Sequence, residues 1–165
     1  HDPHSVVLFE PQRRLLISAD ALWERGFGVV FPELEGEQAF AEVEATLDVI
    51  EQLQPEWVLP GHGGMFSDVA GALAVARKRL ADFQADPQRH AQYAAKVLLK
   101  YKLLEWQQAS CQQVQDWCAS TPLMQQMRQR YFADQDPAAW VLALLQALAA
   151  ARAVVWEGDQ VRNVD

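Results

Sequence analysis

Hydrophobic residues fall first into short β-type runs and then into helical stripes. Residues 5–10 and 14–19 are β-rich runs flanking Glu10-Pro11-Gln12-Arg13, which predicts a hairpin with a proline turn. Residues 20–36, punctuated by Gly26, Gly28, Pro32 and Gly36, are expected to form a long loop of the kind that borders a functional site. From Glu37 to Leu53, Phe40, Val43, Leu47 and Ile50 keep the three-and-four spacing of an amphipathic helix, ended by Gln54-Pro55. Trp57-Val58-Leu59 reads as a buried strand stopped by Pro60-Gly61-His62-Gly63-Gly64. Val69, Leu73, Ala76, Leu80 and Phe83 mark a second helix that Pro87 closes. The order β-β-α-β-α is that of an α/β unit with helices covering a sheet.

Beyond Pro87 the pattern becomes mostly helical. One helix is expected over about 88–106. A second is capped by Ser110 with Gln113, and others start at Thr121-Pro122 and Asp136-Pro137. Val154-Val155-Trp156 and Val161-Arg162-Asn163-Val164 flank Glu157-Gly158-Asp159-Gln160 as a terminal hairpin. Helices ending in a hairpin outline a winged helix. The expected organisation is an α/β domain over 1–85 followed by a mostly α, winged-helix-like domain over 86–165.

Composition narrows the partners. The 165 residues are 50% hydrophobic and 22% charged, enough for one ordinary domain or two small ones. No apolar run approaches a membrane helix, and His1-Asp2-Pro3-His4 lacks a signal-peptide pattern. A start without methionine that opens directly into a strand is expected of a chain cut from a longer one. The net charge of -8 is uneven. Residues 1–85 hold 14 acidic and 6 basic side chains (net -8), and residues 86–165 hold 8 of each (net zero). Neither half shows the basic excess of a general nucleic-acid binder. Cys111 and Cys118 lie two turns apart on one helix, too far along the axis to bridge easily, so two free buried thiols in a reducing cytoplasm are expected.

Candidate chemistry gathers at strand ends: His1 before a strand, Asp20 after the second strand and His62 after the third. Imidazole and carboxylate suit Zn²⁺, and ligands in α/β proteins cluster where strands end. Glycines on both sides of His62 let the backbone turn tightly and give the imidazole room. Simpler readings stand beside these. His62 fits an exposed turn histidine, Asp20 fits an N-cap for a helix at Ala21-Leu22-Trp23, and His1 is a chain terminus. His4 and His90 read as surface groups. Gly26-Phe27-Gly28-Val29-Val30-Phe31 reads as a pocket-bordering loop or as core, with the pocket preferred. The tryptophans at 106, 117 and 140 read as core, and the run Glu33, Glu35, Glu37, Glu42, Glu44 as a solvated helix start.

Three segments carry a family resemblance. His1-Asp2-Pro3-His4-Ser5 and the apolar run after it resemble the "G-H-T-P-G-S-x-x-L" segment of metallo-β-lactamase-fold hydrolases, with His4 at a usual Gly position. Ser18-Ala19-Asp20-Ala21-Leu22 resembles their "S-G-D-x-L", with Ala19 for Gly, and Pro60-Gly61-His62-Gly63 resembles "P-G-H-G". The likeness covers residues 1 to about 85, and the tail is similar to the winged-helix domain of members near the hydroxyacylglutathione-hydrolase and endoribonuclease-like branches.

The resemblance implies the C-terminal part of an αββα sandwich and two zinc ions, with His1 on the first, Asp20 bridging and His62 on the second. Such a pair acidifies a shared water for attack on an ester, thioester or phosphodiester. It also implies a small-molecule substrate, and the lack of a long apolar run leads to the expectation of no membrane partner. The family's H-x-H-x-D-H segment is missing from these 165 residues, whose four histidines are His1, His4, His62 and His90. Weak or absent zinc binding and no hydrolysis by this chain alone are therefore expected. The alternatives are a nucleic-acid-processing protein or a non-enzymatic interaction module. An uncovered sheet surface would favour a homodimer, and the expected location is the cytoplasm.

Overall fold

A computed structural model describes residues 5–164. The chain divides into two compact units between Asp86 and Pro87. Among the described residues are seven helices and two three-stranded sheets, a mixed α/β composition.

In the first unit, β1 (Leu8–Glu10) and β2 (Leu15–Ala19) form an antiparallel hairpin, and β2 runs parallel to β3 (Trp57–Pro60), giving the order β1-β2-β3. The crossover from β2 to β3 contains α1 (Phe31–Glu35) and α2 (Phe40–Leu53), and α3 (Val69–Ala85) follows β3. Alternation along the strands puts Leu16 and Val58 on a fully buried face. With the inward stripes of α2 (Phe40, Val43, Leu47, Ile50) and α3 (Leu73, Ala76, Leu80, Phe83) they form the core. Arg77 on α3 bonds Asp48 and Glu51 on α2, and its hydrogen bond to Asp48 is the main cause that raises its pKa. The opposite sheet face carries Leu8, Ile17, Trp57 and Leu59, all exposed.

The structure corrects the loop expected over 20–36. It contains α1, and Glu33 of that helix accepts bonds from the backbone N–H groups of Ala39 and Phe40, so one acidic residue supplies the cap that α2 lacks at its own N-cap. Val29 and Val30 are buried core, because bulky apolar side chains gain from burial, while Phe27, itself buried, and Gly28 border a cavity, so both readings of that segment hold in part. No helix follows Asp20, so its N-cap reading falls.

The second unit comprises α4 (Pro87–Trp106), β4 (Gln108–Ser110), α5 (Cys111–Ser120), α6 (Pro122–Tyr131), α7 (Pro137–Ala150), β5 (Val154–Glu157) and β6 (Gln160–Asn163). Its sheet order is β4-β6-β5, all antiparallel. The capping box of Ser110 and Gln113 opens α5, and Asp136 caps α7. Strand β4 escapes the sequence pattern because three residues are too few to show a period. The terminal hairpin closes through a tight turn at Gly158-Asp159, with Gly158 at φ +68.

His90 is buried, not a surface group. It continues the inward stripe Ala91, Ala94, Ala95, Leu99 and Leu103 of α4. Trp140 is core, whereas Trp106 and Trp117 are half-buried and meet edge to face with ring centroids 6.2 Å apart. The cysteines are free, but only Cys118 is buried; Cys111 is half-exposed at the start of α5. Burial pushes the Cys118 thiol up to about 12. Lys100 donates to the carbonyls of Ala153 and Val164 and to the Asn163 side chain, tying α4 to both ends of the hairpin.

Candidate metal centre

Two parallel neighbouring strands end side by side, and each delivers one candidate ligand. In register, Ala19 faces Pro60. Asp20 follows directly on Ala19, and His62 comes two residues after Pro60. The Gly61 N–H donates to the Ala19 carbonyl at 2.8 Å, which locks the two strand ends together. An irregularity between Ile17 and Ala19, with Ala19 at φ +47, breaks the strict alternation and turns the chain at Asp20. That left-handed backbone favours glycine, which stands at this position in the motif that Ser18-Ala19-Asp20 resembles.

The Asp20 Oδ1 lies 3.7 Å from His62 Nε2, with the two side chains 27% and 58% exposed. This gap exceeds hydrogen-bond length but suits two groups converging on one cation. Gly61 is needed for the approach: a Cβ there would stand 2.9 Å from Asp20 Oδ1 and 3.1 Å from the Ala19 carbonyl. The pair therefore sits in a cradle that any larger residue at 61 would fill.

The turn around Asp20 is braced throughout. Ala21 N–H donates to the Ser18 carbonyl, the buried Ser18 hydroxyl donates to the Leu22 carbonyl at 2.6 Å, and Gly28 N–H donates to the Asp20 carbonyl at 2.9 Å. Trp23 completes the arrangement, with its indole N–H donating to Asp20 Oδ1 at 3.2 Å and its ring edge-on to His62 at a centroid distance of 5.0 Å. Sequence reasoning reads Gly61 as giving His62 room but passes over Trp23, for which the available signal is a Trp three positions beyond a strand-end Asp.

A cavity of about 390 Å³ opens beside Asp20, between the end of β2, Phe27-Gly28 and the α2 residues Glu42, Val43, Thr46 and Val49. Among the described residues its lining is mainly apolar and includes no Lys or Arg.

Of the three expected ligands, Asp20 and His62 are brought together, while His1 lies outside the described residues, as does His4. The donors present fit a borderline cation such as zinc in type, one carboxylate and one imidazole meeting in an accessible cradle. Their number is short: among the described residues no three His, Cys, Asp or Glu side chains form a group able to hold a metal ion. Among the same residues no helix is long and apolar enough to cross a membrane.

No protein-family model matches the chain, and no curated protein matches it significantly. A solved metallo-β-lactamase family protein from Thermus thermophilus aligns with 96% of the chain at 20% identity and a TM-score of 0.37. That likeness is too slight to carry an argument, and the chain spans 44% of that protein's length.

Proposed function

We propose that this chain contributes Asp20 and His62 to the dinuclear zinc site of a metallo-β-lactamase-type hydrolase, with His1 as a third ligand and the others on an H-x-H-x-D-H segment outside these 165 residues. The observation that supports the reading is the 3.7 Å approach of Asp20 and His62 at the ends of adjacent parallel strands. Ligands at such strand ends are the usual arrangement in α/β sheets. When bound, zinc supplies Lewis acidity and an acidic water for hydrolysis. The protein's part is to present a carboxylate oxygen from the braced turn at Asp20 and an imidazole nitrogen from the neighbouring strand end. The cavity beside Asp20, mainly apolar among the described residues, gives room for the substituent of an ester, thioester or phosphodiester.

The second unit supports a winged-helix-like reading through its helix, strand, helices and hairpin in that order and its β4-β6-β5 sheet. The exposed side of α7 presents Ala138, Leu142, Ala143 and Gln146, with no cation for phosphate. This composition favours a packing role over groove reading, and an RNA-processing function is the weaker reading.

Zinc titration of the chain, followed by NMR at the histidine ring signals, tests the ligand assignment. His62 signals should shift or broaden at low millimolar Zn²⁺ while those of the buried His90 stay fixed, and Asp20→Ala should weaken the effect by about tenfold or more. His62 signals indifferent to zinc, or an Asp20→Ala response equal to wild type, would overturn it.

A further inference from the structure

We propose that Trp23 is a positioning residue that holds Asp20 and His62 in the mutual geometry a cation needs, an inference that rests on the ligand reading of those two residues. Asp20 and His62 stand 3.7 Å apart and so do not hydrogen-bond each other in this pair of atoms. Trp23 touches both. Its indole N–H at 3.2 Å fixes the Oδ1 of Asp20, the same oxygen that faces His62 Nε2. Its ring, at 78° to the imidazole and 5.0 Å away, limits the planes His62 can adopt. Among the described residues, Asp20 and Trp23 are the side chains set against this histidine, which is 58% exposed in a Gly-flanked turn, and ordering such a side chain at the moment of binding costs entropy. Partners that orient ligands in advance characteristically set metal affinity.

Trp23 is itself anchored. Its backbone N–H donates to the Gly26 carbonyl at 2.7 Å, across a bridge that closes the segment 23–26. Gly26 has φ +121, and a Cβ there would stand 2.7 Å from the Arg79 guanidinium. The same guanidinium lies over the rings of Phe27 and Phe83, at 5.4 and 5.3 Å. Helix α3 thus clamps the turn from behind, and Trp23 transmits that rigidity forward to both ligand side chains.

The test separates the N–H from the ring. Trp23→Phe keeps an aromatic ring and removes the donor; Trp23→Ala removes both. Without metal, the His62 ring protons should carry a ring-current shift that survives in Trp23→Phe and disappears in Trp23→Ala. Exchange of the Trp23 indole proton with water should accelerate several-fold in Asp20→Ala. With zinc alone as the probe, Trp23→Phe should weaken binding at His62 by about tenfold and Trp23→Ala by more, with far-ultraviolet circular dichroism unchanged. The inference is overturned if the indole proton exchanges equally fast in wild type and Asp20→Ala, or if both Trp23 variants bind zinc as wild type does. Should wild type bind no zinc at His62, the ligand reading fails. The metal-free ring-current and exchange measurements then decide by themselves whether Trp23 holds the pair.

Discussion

The two sheets of this protein are built to different specifications. The second unit's sheet is antiparallel and two-faced: Ala109, Val154, Val161 and Asn163 point inward and are buried, while Gln108, Gln160 and Arg162 occupy the other face. Such a sheet satisfies itself, with one face in the core and one in water. The first unit's sheet contains a parallel pair and is apolar on both faces. Leu16 and Val58 are 0% exposed, yet Leu8, Ile17, Trp57 and Leu59 on the other side are 61, 41, 44 and 43% exposed, with Met65 nearby at 57%. Parallel sheets are usually covered on both sides. The contrast teaches that the second unit's sheet has a polar face suited to water, with Trp156 38% exposed at its edge, whereas the first unit's sheet has one finished face and one apolar face that calls for a cover.

The largest effect should come from the finished face. Leu16→Ala removes a fully buried side chain at the centre of β2 and is expected to cost about 3 kcal/mol of first-unit stability, read by chemical denaturation. Ile17→Ala, the next residue on the same strand, should cost well under half as much. Equal losses would break the comparison by showing that the exposed face is covered in solution.

Much of this architecture is legible in the residues. The three-and-four stripes of α2, α3 and α7 are strong enough to place those helices, and the Ser110–Gln113 box and the Pro at the start of α6 and α7 mark their N-termini. Continuous apolar strands already imply burial on both faces, although nothing in them says what lies on the second face. Short elements are lost. Helix α1 and strand β4 are too brief for periodicity to rise above noise, and β4 exists because β6 pairs with it. His90 reads as a surface group only when its polar type is weighed above its position on the α4 stripe. For the site, strand-end position and flanking glycines are enough to single out Asp20 and His62. The part played by Trp23 depends on side-chain directions across a turn, which spacing alone does not specify.

A medium effect should distinguish the closed core of the second unit. Cys118 is 4% exposed, with its thiol raised from 9.0 to about 12. The folded state therefore keeps this proton between pH 9 and 12 while the unfolded state releases it. In that window the unfolded form binds fewer protons, so stability falls as pH rises, by at most about 1.4 kcal/mol per pH unit from this group. Below pH 9 both states hold the proton and the contribution is flat. Urea denaturation at about pH 8 and about pH 10.5 should show a smaller loss in Cys118→Ala than in wild type. Identical losses would mean that water reaches the thiol and that the second unit is less closed than its sheet suggests.

The smallest change in folding stability, and the sharpest test of the contrast, should come from Ile17→Lys. Its neighbours in register are Leu8 on β1 and Leu59 on β3, so a charge there lies in the middle of the bare face without touching the core. Stability should move by under about 0.5 kcal/mol, as for an exposed position. The homodimer expected from an uncovered sheet is a proposal that the same variant decides. If a second copy covers the face, sedimentation of wild type at tens of micromolar should give a dimer and Ile17→Lys a monomer, since each copy would bury the other's lysine against leucine. Wild type and variant both sedimenting as monomers would exclude the second copy, and a dimer untouched by the lysine would put the contact elsewhere. A large loss of stability in a strictly monomeric variant would instead show that the face is already packed within one chain, and the distinction between the two sheets would collapse.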